Sequence, residues 1–171
     1  MKGFSLIELI FAVSIFLIMI LAIFAVMDVG RGAWFTADVT VELRQEIIKA
    51  FTTMEKELKE TRPAEISVAI DSSSASLTFK IPQDIDGDGT ILNSAGNIEW
   101  SNNVTYALSG NSITRTSGGA PMVLANNIVS LQFSRPESPV NLLQIDIAAQ
   151  KKAVNARMMS DTGQITVKMR N

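Results

Sequence analysis

The chain has 171 residues, 47% of them hydrophobic, with a formal net charge of -2 and a pI near 5.2. That length allows one domain plus an anchor, and the mildly acidic balance gives no general affinity for nucleic acid, although a local DNA-binding strip stays open. Cysteine and histidine are both absent. This removes disulfides, thiolate and imidazole metal sites, cysteine nucleophiles and histidine-based triads, so an enzyme would have to work with carboxylates, lysine or tyrosine; we expect none.

The first element is apolar. From Leu9 to Met27 the single polar side chain is Ser14. At about 1.5 Å per residue the run spans roughly 28 Å, the thickness of a bilayer's hydrocarbon core. It is longer than the apolar region of a secretory signal peptide, about 7–15 residues, so a single membrane-spanning helix is expected over 4–29. Lys2 favours an amino end in the cytoplasm, and Arg31 on the far side offsets this. Glu8 stands at the edge of the run with no cation inside it. A carboxylate there costs a few kcal/mol unless paired, which makes it a functional candidate and places its partner outside this segment.

The helix should continue to about Thr61, because no proline occurs before Pro63. Over 30–62 the pattern becomes amphipathic. Val39, Leu43, Ile47, Phe51, Met54 and Leu58 recur at spacings of four and three, which puts them on one face. Glu42, Arg44, Glu46, Lys49, Glu55, Lys56, Glu57, Lys59 and Glu60 occupy the other. Gly30-Arg31-Gly32 lies at the junction and reads either as a loose interfacial joint or as a flex point between anchor and head. Trp34 and Phe35 sit just beyond the span, where aromatic side chains commonly mark the membrane interface.

Beyond Pro63 the texture is β. Strands are expected over 66–70, 76–81, 97–108 with a break at Asn102-Asn103, 112–116, 123–133 with a break at Asn126-Asn127, 142–148 and 164–169. Turn signals separate them: Ser72-Ser73-Ser74, Asp86-Gly87-Asp88-Gly89, Ser109-Gly110-Asn111, Ser117-Gly118-Gly119, Pro136 with Pro139, and Asp161-Thr162-Gly163. Short strands joined by hairpins imply an antiparallel sheet, one face of which can cover the Val39–Leu58 stripe. The fold class is therefore α+β, with a β-rich head over 63–171. Trp100 alternates with Ile98 and reads as core, and Tyr106 has no evident companion that would make it a catalytic acid. Lys151, Lys152 and Arg157 form a small basic cluster, either a solvated loop or a strip for DNA or a partner.

One loop carries metal-type chemistry. Asp84, Asp86, Asp88 and Thr90 alternate around Gly87 and Gly89, as in the first part of an EF-hand-type calcium loop. The position where a bidentate Glu should close that loop is Ala95, and Glu99 could close it only with a different geometry. A calcium loop and a solvated turn both fit.

The amino-terminal residues Gly3-Phe4-Ser5-Leu6-Ile7-Glu8-Leu9 carry a family resemblance. They look like the class III signal of type IV prepilins and type II secretion pseudopilins. The resemblance implies a leader over 1–3, cleavage after Gly3 by the inner-membrane prepilin peptidase and methylation of the new terminus at Phe4. It also implies a role for Glu8 in filament assembly. The order of pieces after the anchor is similar to PilW-like minor pilins and J-type minor pseudopilins: a charged helix, the Tyr106–Arg115 hairpin, later strands and a Val167-Lys168-Met169-Arg170-Asn171 end. That implies a single-pass protein of the bacterial inner membrane, with its amino terminus cytoplasmic and its head periplasmic. The protein would then join a pilus or pseudopilus with other minor and major pilins or pseudopilins and the inner-membrane assembly platform. Pseudopilins sometimes use calcium, and no ligand is carried over from them.

The mature amino group on Phe4 would be a cation about one helical turn from Glu8. Each charge is costly alone in low dielectric, and pairing Glu8 with a neighbouring subunit's terminus would relieve both and fix the axial stagger. Two rivals remain at this level: a tip module that captures DNA, a surface or a substrate, and a membrane-tethered enzyme built on the Asp84–Asp88 group.

Overall fold

The computed structural model describes residues 5–154 and 156–170. Helix α1, Leu6–Leu58, runs without interruption for 53 residues, about 80 Å at helical rise. The glycine junction does not break it. A Cβ at Gly30 or Gly32 would meet nothing within 4 Å, so among the described residues these glycines make no close approach. The Thr36 hydroxyl donates to the carbonyls of Gly32 (3.1 Å) and Ala33 (2.8 Å), and Thr40 to that of Thr36 (2.9 Å).

The two ends of α1 meet different surroundings. Apart from half-buried Ile20, the residues from Ser5 to Arg31 are exposed, and the stretch is long and apolar enough to cross a membrane. The other end buries Val39, Leu43, Ile47, Ala50, Met54 and Leu58. The expected stripe is therefore present, rotated slightly: Ala50 is wholly buried and Phe51 only half-buried. A short 3-10 turn, Pro63–Glu65, follows.

Among the described residues the head contains eight strands: β1 Ser72–Ser74, β2 Ser76–Phe79, β3 Val104–Ser109, β4 Ser112–Ser117, β5 Met122–Asn126, β6 Ile128–Arg135, β7 Leu142–Lys152 and β8 Met158–Lys168. They form two antiparallel sheets, ordered β1-β6-β7-β8 and β2-β3-β4-β5. The chain changes sheet at Asn127, which adopts φ 61°, a left-handed conformation asparagine tolerates well. The expected break at Asn126-Asn127 is thus a transfer between layers. The expected β3–β4 hairpin also forms, pairing Ser109 with Ser112 around Gly110.

Three expectations about the strands are corrected. The 66–70 segment is not a strand and contributes an isolated bridge, Ile66 to Phe79, while the serine run 72–74 pairs with β6. Much of 97–103 is irregular, held by bridges of Leu92 with Ile98 and Pro82 with Trp100. The last hairpin is longer than expected, and Gly163 is inside β8 opposite Ile147 rather than at a turn.

That glycine lets the helix approach. A Cβ on Gly163 would lie 2.7 Å from both Ile47 Cγ2 and Phe51 Cε2, distances no packed side chain tolerates. Residues from both sheets and α1 form one core, with Tyr106, Phe79, Phe133, Leu43 and Met54 among its largest buried side chains. The buried Arg135 is satisfied by three carbonyls: Val140 (3.0 Å), Pro63 (3.1 Å) and Val68 (3.3 Å).

Candidate functional site

Gly3 and Phe4, the expected processing residues, lie outside the described residues. Glu8 is in the first turn of α1. Its Oε2 accepts the backbone N–H of Ser5 at 2.9 Å, while Ser5 Oγ accepts the N–H of Ile7 at 3.3 Å. Ser5-Leu6-Ile7-Glu8 is a capping box, a pattern the sequence displays and the reading by membrane cost overlooked. Glu8 therefore has a local partner in its own chain, and its carboxylate stays exposed at the start of an apolar rod. The helix N-terminus further favours the charge.

The acidic loop is organised by its own backbone. Asp84 accepts the N–H of Gly87 (2.7 Å) and of Gly89 (2.9 Å). Both glycines have positive φ, 79° and 86°, which turns their amides back toward Asp84. Asp86 accepts the N–H of Asp88 at 3.1 Å, and Asp88 accepts the N–H and hydroxyl of Thr90, each at 2.8 Å.

Glu99 joins from across the loop. The bridge of Leu92 with Ile98, and the bonds from Glu99 N–H to Ile91 and from Gln83 N–H to Glu99, set it beside the loop's start. There its Oε2 accepts the N–H of Ile85 at 2.7 Å. Asp84, Asp86 and Glu99 thereby bring carboxylate oxygens within 4.8 Å of one another. Of the four residues the sequence suggested, Asp84 and Asp86 belong to this group. Asp88 and Thr90 are occupied with each other. Glu99 closes the group with the different geometry that the sequence allowed it, because the bridge, not a twelve-residue loop, delivers it. An all-oxygen set of this kind could hold a hard divalent ion such as calcium.

A second polar group joins helix to head. Glu57 on α1 accepts the Tyr106 hydroxyl at 2.6 Å and the Arg115 Nε at 2.9 and 3.1 Å. Tyr106 and Arg115 are register partners on β3 and β4. The Tyr106 ring is wholly buried and lies 5.4 Å from that of Phe79. Burial, then the Glu57 carboxylate, pushes the Tyr106 phenol far above its ordinary range. Burial works against the Arg115 charge, and the hydrogen bond and charge of Glu57 more than restore it, leaving that guanidinium raised. Tyr106 thus has companions the sequence did not reveal, and they hold it protonated.

Nearer the amino half, Glu46 accepts the N–H of Asn126 at 2.6 Å, Glu42 pairs with Lys151, and Arg44 reaches Asp161 at 3.3 Å. The charged face of the helix is in part a seam. Trp100, expected in the core, is half-buried with the Arg62 guanidinium 5.8 Å from its ring centroid.

No family model, curated protein or solved structure matches the chain. The architecture itself is pilin-like: a long amino-terminal apolar helix packed by its far end against antiparallel sheets.

Proposed function

We propose that the chain is a minor pilin or minor pseudopilin, a structural subunit that primes or caps assembly of a type IV pilus or type II secretion pseudopilus. The observation that carries this reading is Glu8: an exposed carboxylate in the first turn of an exposed apolar helix, five residues after Gly3. In this reading Met1 to Gly3 is the leader, prepilin peptidase cuts before Phe4, and the helix to about Val29 anchors the protein in the inner membrane. The head faces the periplasm and meets related subunits. It performs no catalysis. The Asp84–Asp88 group lies on an exposed loop rather than in a cleft, which weighs against a tethered enzyme.

Glu8 would exchange its bond to Ser5 for the terminal amine of a neighbouring subunit. Two substitutions separate capping from assembly. Glu8→Gln keeps a capping acceptor and loses the charge; Glu8→Ala loses both. Both variants should insert and be cleaved, and both should be scarce in sheared filaments. If Glu8→Gln assembles normally while Glu8→Ala does not, the residue is a helix cap and the charge-pairing role is lost.

A capture module at the filament tip is the rival. It needs a basic or aromatic patch at the free end of the head. Trp100 is half-buried with the Arg62 guanidinium over its ring, and Lys151 of the basic cluster pairs with Glu42 on the helix. Both features favour the assembly reading. We further assign calcium to Asp84, Asp86 and Glu99 as a loop-stabilising ion, with affinity in the ~0.1–1 mM range of weak extracellular sites. Calorimetric titration should give heat that Glu99→Gln abolishes; a silent titration at millimolar calcium removes the assignment.

A further inference from the structure

The β7–β8 hairpin ends in a tip directed along α1 toward its apolar half. The contacts of the hairpin with the helix run in order. Just past the ends of both elements Arg170 N–H bonds the Thr61 carbonyl; along them Gly163 faces Ile47 and Phe51, Asp161 meets Arg44, and Lys151 meets Glu42. Lys151 pairs with Met159 and Lys152 with Met158, so both strands continue one residue past the level of Glu42 toward the amino end of α1. Glu42 lies eight residues beyond exposed Trp34, about 12 Å along the axis. The strands end there, at Lys152 and Met158, and Ala153 extends the rise before the turn in which the Ala156 N–H bonds the Ala153 carbonyl; two residues of extended chain reach roughly 7 Å in that direction. The tip therefore comes within a few ångströms of the level of Trp34, where an aromatic side chain after an apolar span marks the headgroup layer.

The tip has the chemistry of a surface that meets lipid. Val154 is 80% exposed and Met158 52%. Lys152 and Arg157 are exposed beside them. Apolar side chains on a soluble loop flanked by cations suit an interface with hydrocarbon below and phosphate above. The Glu42–Lys151 pair braces the base of the tip against the helix.

We propose that this tip rests on the anionic headgroup surface of the membrane that holds α1, with Val154 and Met158 entering the headgroup layer and Lys152 facing lipid phosphates. The inference rests on the reading of the apolar half as a membrane anchor. The contact sets the tilt of the head before extraction into a filament, and leaving the membrane releases the tip.

The absence of native cysteine allows unique labelling. The full chain carrying Val154→Cys with an environment-sensitive dye is reconstituted in vesicles of phosphatidylcholine with or without phosphatidylglycerol. Lipids spin-labelled at the headgroup should quench the dye in the anionic vesicles. Lys152→Gln should lower the ratio of docked to undocked tip about fivefold, the effect of one cation near an anionic surface, and added salt should act in the same direction. A dye at Ser94, in the distant acidic loop, should be unaffected. A dye at Leu17→Cys, read with deep spin-labels, reports the anchor independently. Quenching at Leu17 without quenching at Val154 overturns the proposal and leaves the anchor standing. Quenching at Val154 that ignores both phosphatidylglycerol and Lys152→Gln also overturns it, and protection that grows with protein concentration instead assigns the tip to a second copy of the chain. A Leu17 dye out of reach of deep quenchers removes the anchor reading and this inference with it.

Discussion

The two halves of α1 share one backbone and differ in what touches it. Leu17 and Phe24 are 58% and 65% exposed, while Leu43 and Met54 are wholly buried. The exposed half is apolar all round and the covered half has one apolar face, so the first needs an apolar medium and the second needs one specific partner. Leucine has the same helix propensity in both places. What differs is whether the apolar area is removed from water by generic surroundings or by a fitted surface.

The sharpest way to break this comparison is a matched pair of truncations. Leu43→Ala removes a wholly buried side chain and should cost the head about 2–5 kcal/mol, seen as a fall in the unfolding midpoint in detergent by near-ultraviolet dichroism. Leu17→Ala should leave that midpoint unchanged. Equal losses would mean that the exposed half also supports the head.

The seam is tested next. Glu57→Ala leaves Tyr106 and Arg115 without their acceptor, both largely enclosed, and should cost about 1–3 kcal/mol. The same group gives a pH signature. Folding raises the Tyr106 phenol above its ordinary 10.0, so its contribution to stability is complete below that value and is lost as pH rises beyond it. Tyr106 is the sole tyrosine, so tyrosinate absorbance follows this one group. It should appear only with cooperative alkaline unfolding; smooth ionisation near pH 10 in a folded head would contradict the geometry.

Gly163→Ala probes the close approach itself. The added Cβ meets a β-branched side chain and a ring, and the overpacking should cost about 1–3 kcal/mol. Ile47→Val or Phe51→Leu in the Gly163→Ala background should recover part of the loss. No recovery would show that the strain resides elsewhere. The smallest effect belongs to Arg44–Asp161, where Arg44 is 67% exposed. Arg44→Ala should shift stability by at most about 0.5 kcal/mol, and salt should erase the difference.

Local pattern made α1 and its faces readable, because helical periodicity is written over consecutive residues and no proline interrupts it before Pro63. The hairpin around Gly110 was readable for the same reason. The acidic loop was half readable. Asp84 and Asp86 are adjacent in sequence to their turns, whereas Glu99 arrives through a pairing of Leu92 with Ile98 that depends on the rest of the head. The serine run 72–74 looked like a turn because serine favours turns; pairing with β6 overrode that weak preference.

The sequence by itself determined a long helix with two kinds of surface, an α+β head, and a carboxylate at Glu8 that needs explaining. These follow from composition and spacing along a few turns of chain. Only the tertiary structure decided that the head has two sheets, that Gly163 is a point of close approach to the helix, that Glu57 holds Tyr106 and Arg115, and that the last hairpin points back toward the apolar half. Each of these joins residues far apart in sequence: Glu57 and Arg115 are 58 positions apart, Glu42 and Lys151 are 109. Such pairings are chosen by the packing of the whole core.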